Sequence, residues 1–204
     1  YLINGYKSLH KTKETFHIGV EELPISTYLK LRKNLAIKPV VYWSPKVEID
    51  QGMSYKHAVE KTREALINSV SLRLRSDVPI AFCMSGGIDS NSLISIAKKE
   101  LGYDVQGFTI VNTDSRYDEN DLIKESVNQL NIRHTYLSPQ SDDFLANMHK
   151  LVHLHDGPVS TISYYIHWQL MGSVAKQGYK ISISGTGADE LFTGYHDHHN
   201  LYLH

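Results

Sequence analysis

A glycine-paired turn between a buried strand and a helix constrains this sequence more than any other feature. The turn, Ser85-Gly86-Gly87-Ile88-Asp89-Ser90, follows an apolar run at residues 79–84 and precedes a helical pattern that starts at Asn91. Two consecutive glycines let the backbone curl, so that several N–H groups and the positive end of the helix face one concavity. This strand–turn–helix context predicts a phosphate-binding loop. The simpler alternative is that the serines and Asp89 only cap the helix.

The charge of this turn narrows the chemistry further. Asp89 would repel a polyphosphate unless a divalent cation lay between them, so we interpret Asp89 as a magnesium ligand. The Walker pattern requires a Lys directly after its last glycine, and this turn has none. The sequence therefore indicates phosphate chemistry other than γ-phosphoryl transfer.

Strands and helices alternate in the part of the chain that contains this turn. Short apolar or β-branched segments predict four strands, at residues 80–84, 105–111, 132–137 and 180–184. Helical patterns predict helices at 91–101 and 119–130, and two more before the last strand, the second of which is terminated by Gly178. The alternation predicts an α/β fold, a parallel sheet with helices on both faces, whose ligands bind at the carboxyl ends of the strands.

A different pattern precedes the sheet. Residues 1–45 alternate apolar and polar groups in short bursts, for example at 15–20 and 26–31, which predicts short strands with little core of their own. From Ser54, residues at helical spacing predict one amphipathic helix that ends near Arg75, with Ser54 as its N-cap. The sequence thus predicts a short β-rich segment and a linking helix in front of the α/β domain.

A second glycine-containing loop follows the last predicted strand, and it therefore lies on the same rim of the sheet. In Ser184-Gly185-Thr186-Gly187-Ala188-Asp189-Glu190, the glycines allow a ligand to approach the backbone, and Asp189 offers a second carboxylate to the same cation. Glu190 occupies the third glycine position of GxGxxG, so a dinucleotide-binding fold fits poorly. Alternatively, Asp189 and Glu190 simply begin a helix at Leu191.

Composition excludes several classes of function. The 204 residues carry a formal net charge of -1, with a pI near 6.9, so no overall positive field is available to hold a nucleic acid. Cys83 is the only cysteine, which excludes an internal disulfide and a cysteine-clustered zinc site and fits a reducing compartment. No apolar run is long enough to span a bilayer. We therefore expect a cytoplasmic protein whose partners include neither nucleic acids nor membranes.

Several short motifs, taken in their order and spacing, carry a family resemblance. Residues 73–79 resemble a lead-in to an SGGxDS loop, and residues 184–195 resemble the signature SGxGADELFxGY; Asp118-Glu119, His134 and Pro158 fall where the same family has an Asp-Glu pair, a His and a Pro. The chain is thus similar to the synthetase domain of glutamine-hydrolysing asparagine synthetases, which are pyrophosphatase-type ATP (PP-loop) enzymes.

The resemblance also implies a division of the chain. Residues 1–45, with Tyr42-Trp43, resemble the end of the family's N-terminal glutaminase domain. Residues 46–76 would then be a linker helix, and residues 77–204 an ATP-binding synthetase domain of the adenine-nucleotide α-hydrolase-like (HUP) type. Because the family also has an N-terminal Cys nucleophile and later helices that carry a catalytic Lys, we expect this chain to be a piece of a longer protein and to be inactive alone.

The family's chemistry, carried over by resemblance, assigns a role to each motif residue. In such enzymes ATP adenylates a carboxylate, pyrophosphate leaves, and ammonia displaces AMP to form an amide; ATP and Mg²⁺ are therefore the expected cofactors. The implied roles are a pyrophosphate grip by Ser85, Gly86, Gly87, Asp89 and Ser90, magnesium binding by Asp89 and Asp189, a nucleotide site lined by Cys83, Ile110, Ser184 and Gly185, and catalytic roles for Thr186, Asp189, Glu190 and Tyr195, the last near the reacting carboxyl.

One position departs from the family's pattern. Relatives that amidate amino acids usually carry Glu at the third position of SGxGADE, whereas this chain has Thr186. A neutral hydroxyl cannot supply that negative charge or act as a base near neutral pH. Either another residue supplies the function or the acceptor is not aspartate, and we favour a sugar uronic acid of the kind amidated in surface polysaccharide biosynthesis.

Three hypotheses remain open from the sequence. The first is an ATP-dependent amide-forming ligase that acts on a small carboxylate with ammonia from glutamine, supplied through a glutaminase domain that this chain lacks. The second is a tRNA-modifying adenylase, which the near-neutral charge and the SGTGADE loop disfavour. The third is a nucleotide-binding module without activity. The oligomeric state is also open, with a homodimer as one alternative.

Overall fold

The computed structural model describes residues 3, 5, 9, 11–31, 38–111, 114, 116 and 118–203, with the backbone alone at 202 and 203. Part of the predicted segment 1–45 falls outside these residues. The strands are β1 (Thr27–Tyr28), β2 (Val40–Val41), β3 (Ile80–Cys83), β4 (Gln106–Ile110), β5 (Arg133–Leu137) and β6 (Ile181–Ile183). The α-helices are α1 (Tyr55–Arg73), α2 (Ile88–Ser95), α3 (Asn120–Leu130), α4 (Phe144–His155), α5 (Ile162–Lys176), α6 (Ala188–Phe192) and α7 (His196–Leu203).

The last four strands form one parallel sheet in the order β5-β4-β3-β6. β3 pairs with β4 on one side and with β6 on the other, so it is internal, whereas β6 lies at an edge. All four strands run the same way, so the loops that follow β3 and β6 leave the sheet at the same rim. The prediction of a parallel α/β sheet is confirmed.

Side chains that alternate along β3 divide the core between the two faces of the sheet. Ile80 and Phe82 pack with buried residues of α1, α2 and α3 on one face. Ala81 packs with Phe108 of β4 and with Leu170 of α5 on the other face. Because both faces of β3 are covered, its sequence is continuously apolar rather than alternating. Helices on both faces, as predicted, therefore hold the rim in place.

The helix that follows the glycine-paired turn begins earlier than predicted. α2 starts at Ile88, and its N-cap residue Gly87 has an extended conformation. A short π-helix over Ile96–Glu100 continues α2. Asp89 and Ser90 consequently lie inside the first helical turn instead of in a loop. At α1 the boundary prediction is confirmed: the Ser54 side chain accepts a hydrogen bond from the His57 backbone N–H at 3.3 Å.

The predicted strand at residues 15–20 is wrong. Residues 14 and 21 form an isolated antiparallel bridge, and the chain between them turns, with Gly19 at φ +77°. The Thr15 hydroxyl donates to the carbonyl of Val20 at 2.8 Å, which stabilises the turn. An alternating pattern of six residues forms a strand only where a neighbouring sheet covers its apolar side, and here Ile18 is fully exposed.

No helix among the described residues is long and apolar enough to cross a membrane.

Candidate active site

The two glycine-containing loops meet at the carboxyl ends of the adjacent strands β3 and β6. A Cβ atom at Gly185 would lie 3.0 Å from both the Cβ of Asp89 and the backbone N of Ser90. Contacts this short are tighter than most side chains make, so any larger residue at Gly185 would require the two loops to move apart slightly. The structure thus brings together the two loops that the sequence predicted to share a rim.

In the first loop, three successive backbone N–H groups donate to side-chain oxygens. The Ser85 N–H donates to Ser90 Oγ at 3.1 Å, the Gly87 N–H to Ser85 Oγ at 3.2 Å, and the Gly86 N–H to Glu119 Oε2 at 2.8 Å. Asn91 Nδ2 donates to the carbonyls of Ser85 and Gly87 at 2.9 and 2.8 Å. The loop is therefore held in its curled shape by side chains on both its own helix and the segment before α3.

The start of α2 lacks a side-chain cap. Gly87, the N-cap residue, has no side chain and therefore makes no side-chain cap hydrogen bond to the first turn. The simple capping alternative for the serines is therefore not what the structure shows: the Ser90 hydroxyl binds the loop backbone instead. An uncapped helix start presents N–H donors and a positive dipole end, which favour a bound anion.

A cavity of about 310 Å³ opens between the two loops. Its lining includes most of the predicted nucleotide and phosphate residues, namely Cys83, Ser85, Gly87, Asp89, Ser90, Ile110, Ser184 and Gly185, together with Thr186, which was predicted to be catalytic. The predicted residue Gly86 is not part of the lining, because Glu119 covers it. Burial raises the pKa of the Cys83 thiol, more than its hydrogen bond with Ser182 lowers it, so Cys83 contributes to the wall as a neutral group.

Sequence reasoning missed several residues of this cavity. Glu119 lines it directly beside the first loop, and His167 and Leu170 line it from α5. Glu119 was recognised only as part of an Asp-Glu pair and was given no role. His167 and Leu170 are three residues apart and therefore lie on the same face of a helix. This spacing is the sequence pattern from which the two could have been predicted to line one cavity together.

The predicted catalytic residues beyond Thr186 lie outside this cavity, around Tyr195. The Tyr195 hydroxyl donates to Glu190 Oε1 at 2.8 Å. This hydrogen bond lowers the pKa of Glu190 and raises the pKa of Tyr195, and the charges of Glu190, Asp189 and Asp89 raise the pKa of Tyr195 further.

The second loop is otherwise held by few contacts. The Ser184 hydroxyl donates to the Thr186 hydroxyl at 3.0 Å. α6 begins at Ala188 rather than at Leu191, with Asp189 and Glu190 in its first turn, and none of its five residues is buried. The predicted alternative, that Asp189 and Glu190 start a helix, therefore describes part of the arrangement.

The proposed metal ligands occupy different surroundings. Asp89 lines the cavity, whereas Asp189 does not and packs instead against Gly194, where any Cβ would collide with its carboxylate. Among the residues that the structure describes, no three His, Cys, Asp or Glu side chains are grouped so as to hold a metal ion. The shared magnesium site of Asp89 and Asp189 stays a prediction.

A half-buried histidine is linked through Thr109 to Met84, the residue directly before the first loop. Thr109 Oγ1 donates to the Met84 carbonyl at 2.7 Å, which uses its only proton, so at 3.0 Å from His134 Nε2 it accepts and Nε2 carries the ring proton. His134 Nδ1 is buried and has no hydrogen-bond partner in the described part of the chain. Burial lowers the pKa of His134 to about 4, so the ring is neutral near pH 7.

A second cavity, of about 540 Å³, lies between the loops and α1, α2 and α6. It shares Asp89, Ser184, Gly185 and Thr186 with the first cavity, so the second loop forms a wall between the two. The remaining lining is mostly apolar, from residues such as Leu66, Val70 and Phe192.

Known proteins match this chain in sequence over most of its length. The family model described as asparagine synthase matches residues 61–204. Asparagine synthetase (glutamine-hydrolysing) 1 of Bacillus subtilis (strain 168) is 32% identical over 145 residues, which cover 67% of this chain and 21% of the relative. A putative asparagine synthetase (glutamine-hydrolysing) 2 of Methanocaldococcus jannaschii is 26% identical over 199 residues, which cover 92% of this chain and 38% of the relative.

One further relative has a different name, and a solved structure is also similar to this chain. The amidase chyE of Penicillium rubens is 27% identical over 198 residues, which cover 89% of this chain and 30% of the relative. The NH3-dependent NAD synthetase from Campylobacter jejuni has a TM-score of 0.41 and 18% identity, with 70% of this chain and 61% of that chain covered. The chain spans 21–38% of the length of these curated relatives. The family model covers residues 61–204, more than half of the chain, and the chain therefore belongs to the asparagine synthase family.

Proposed function

We propose that this chain is the ATP-binding part of an ATP-dependent amide-forming ligase. The observation that carries the proposal is the cavity at the rim of the sheet, where an SGGxDS loop and an SGxGADE-type loop touch through Gly185. Ligands of open parallel sheets bind in this place, at the carboxyl ends of the strands. The family assignment supports ATP as the ligand, because members are named as synthetases.

The first loop supplies the contacts for the departing pyrophosphate. The donors are the N–H groups of Ser85, Gly86 and Gly87 and the hydroxyls of Ser85 and Ser90. They now bond within the loop or to Glu119, so phosphate oxygens would replace these partners, and the start of α2 adds its positive dipole end. Cys83, Ile110, Ser184 and Gly185 line the part of the cavity that the nucleoside would fill. The cavity wall formed by Leu170 is apolar, which suits the face of a purine ring.

The carboxylates fit a magnesium ion that arrives with the nucleotide. Mg²⁺ prefers oxygen ligands and is commonly held by one or two carboxylates together with substrate phosphates, so a protein cage of three acidic groups is not required. Asp89, which lines the cavity, and Asp189, which lies outside it, would be its protein ligands. The ion would neutralise charge on the phosphates as pyrophosphate departs.

The reaction uses the loops in two steps. An oxygen of the acceptor carboxylate attacks the α-phosphorus of ATP, the bond to the β-phosphate oxygen breaks, and pyrophosphate leaves. Ammonia, which the full-length protein would obtain from glutamine, then attacks the activated carbonyl, loses a proton and expels AMP. Adenylation is needed because a carboxylate oxygen is a poor leaving group, whereas AMP is a good one.

The second loop faces the acceptor in this proposal. Tyr195 now donates its hydroxyl proton to Glu190, and its raised pKa keeps it protonated, so it would donate to the reacting carboxyl group by exchanging Glu190 for that group. Thr186 is hydrogen-bonded to Ser184 and carries no charge. A neutral hydroxyl here favours a hydroxyl-rich acceptor, and we propose a sugar uronic acid in preference to aspartate.

Pyrophosphate release, measured with a panel of acceptors, tests both the proposed ligase activity and the proposed choice of acceptor. A protein that contains this chain should release pyrophosphate from ATP when supplied with a carboxylated sugar nucleotide, and only slowly with aspartate. Thr186→Glu should depress turnover of the uronic acid, because the added charge repels its carboxylate. Efficient glutamine-dependent formation of asparagine by the unaltered protein would return aspartate as the acceptor, while no pyrophosphate release with any carboxylate would reject the ligase.

A further inference from the structure

The first glycine of the phosphate loop is already bonded to a carboxylate from another part of the chain. Glu119, 33 residues further along the sequence, accepts a hydrogen bond from the Gly86 N–H at 2.8 Å. Its side chain also lies directly against the glycine, because a Cβ at Gly86 would stand 2.9 Å from the Cβ of Glu119. The carboxylate thus covers Gly86, which does not line the cavity although Ser85 and Gly87 on either side of it do.

The bond that Glu119 makes is the bond that a phosphate oxygen would make. A carboxylate and a phosphate both present anionic oxygens to backbone N–H donors, and charge-assisted bonds of this kind are the stronger ones. The neighbouring N–H groups of Ser85 and Gly87 are bonded to neutral hydroxyls. Within the loop, Gly86 is therefore the position at which one anion would have to replace another.

Glu119 is also free to leave without a large penalty. Its side chain is exposed, it precedes the first residue of α3, and it makes no capping bond to that helix. Among the described residues, no Lys or Arg forms an ion pair with it. When the side chain rotates away from Gly86, its charge is taken up by water rather than left buried.

We propose that Glu119 is a built-in competitor for the phosphate site, and that a phosphate ligand binds the first loop only by displacing it. This inference rests on the proposed function of the loop and adds to it. It identifies Glu119 as a residue that sets the affinity for pyrophosphate and the dependence on a divalent cation. Once displaced, Glu119 stays near Asp89, so the ligand meets two carboxylates at the cavity wall and needs a cation more strongly.

Calorimetric titration with inorganic pyrophosphate, with and without Mg²⁺, tests the inference. Glu119→Ala should bind Mg·pyrophosphate about fivefold more tightly than the unaltered chain, and the gain should be larger without Mg²⁺. Glu119→Gln should fall between the two, because its amide oxygen can still accept from Gly86 but carries no charge. Glu125→Gln, an equal charge change on the same segment away from the loop, should bind as the unaltered chain does.

The outcomes separate this inference from the proposed function. If the unaltered chain binds Mg·pyrophosphate and neither Glu119 variant binds it more tightly, Glu119 only supports the loop, and the proposal that it competes with phosphate is wrong. Thermal melts of the variants show whether weaker binding comes from a disturbed fold, and weaker binding by a folded variant equally overturns the inference. If neither the unaltered chain nor any variant binds pyrophosphate at millimolar concentrations, the loop is not a phosphate site and the proposed function fails with it.

Discussion

The two loops that build the candidate site are similar in sequence but differ in how the fold holds them. The first follows β3, an internal strand whose residues 80–82 are fully buried, and its backbone is bonded to Ser90, Asn91 and Glu119. The second follows β6, a three-residue edge strand, and leads into α6, none of whose residues is buried. The fold fixes the first loop before any ligand binds, whereas the second loop has few contacts of its own.

This difference separates the chemistry of the site into a fixed part and an adjustable part. In the proposed reaction pyrophosphate leaves whatever the acceptor is, so the loop proposed to hold it can be rigid. The loop proposed to face the acceptor carries the departure at Thr186. We therefore expect changes in the first loop to affect nucleotide binding strongly and changes in the second to affect it less.

The largest expected effect distinguishes the two acidic residues. Asp89→Asn should weaken Mg·ATP binding at least tenfold, because Asp89 lines the cavity, while Asp189→Asn should weaken it only about threefold, because Asp189 lies outside. Calorimetry measures both, with Asp121→Asn, an exposed change on α3, as the control. Equal losses in both variants would show that the loops contribute alike; unchanged binding in both would refute the shared magnesium site.

The contact between the loops gives the next largest effect. Gly185→Ala places a methyl group against the Cβ of Asp89 and the backbone of Ser90, which should destabilise the fold by about 1–3 kcal/mol and weaken Mg·ATP binding about fivefold. Gly172→Ala is the matched control, because no atom lies within 4 Å of its added Cβ in α5. There the change should be neutral or stabilising by up to about 1 kcal/mol. Normal Mg·ATP binding by Gly185→Ala would mean that the loops need not touch.

The support behind the first loop predicts a pH dependence. The pKa of His134 is lowered to about 4 in the folded chain, against an ordinary value near 6.5, because partial burial of the ring disfavours its charged form. Above about pH 6.5 the ring is neutral in both the folded and the unfolded chain, and stability is at its full value. As the pH falls from 6.5 towards 4, the unfolded chain takes up a proton that the folded chain does not, so the free energy of unfolding decreases. After allowance for partial exposure, the loss is about 2 kcal/mol.

His134→Gln isolates this contribution. The Gln side-chain N–H can still donate to Thr109 but does not titrate. Urea unfolding at pH 7 and pH 4.5 should show a smaller acid loss in this variant than in the unaltered chain. Parallel curves for the two proteins would mean that His134 does not have the lowered pKa.

The smallest effect is expected at the Glu190–Tyr195 pair. Glu190→Gln removes the charge and the ionic acceptor that raise the pKa of Tyr195, so this pKa should fall. The pair is exposed, so the melting temperature should not change measurably. Tyrosine ring NMR signals followed against pH report the ionisation. An unaltered Tyr195 titration would show that Glu190 is not its partner in solution.

Local sequence determines the first loop, and for that reason it could be predicted. The run before Ser85 is apolar because β3 is covered on both faces, and the glycine pair is needed where the chain turns into α2. The parallel sheet follows from strands that alternate with helices. The start of α2 was misplaced by three residues because Gly87 can serve as an N-cap without a side-chain signal.

Long-range contacts could not be predicted in the same way. Glu119 bonds to Gly86 across 33 residues of sequence, and no pattern within residues 85–90 shows this. The strand expected at 15–20 failed for the opposite reason, since its alternation had no sheet to pack on. Asp189 lies outside the cavity and packs against Gly194, which follows the end of α6. This contact also is not visible in the pattern of residues 184–190.

Titration with Mg·pyrophosphate, followed through the backbone amides of the chain, shows directly whether the first loop is the phosphate site. In two-dimensional ¹⁵N–¹H NMR spectra, we expect the signals of Ser85, Gly86, Gly87 and Ser90 to move first and furthest, the signal of Glu119 to move with them, and the signals of α4 and of the turn at 15–20 to stay in place. Movements centred anywhere other than the first loop, or no movement at millimolar ligand, would contradict this expectation.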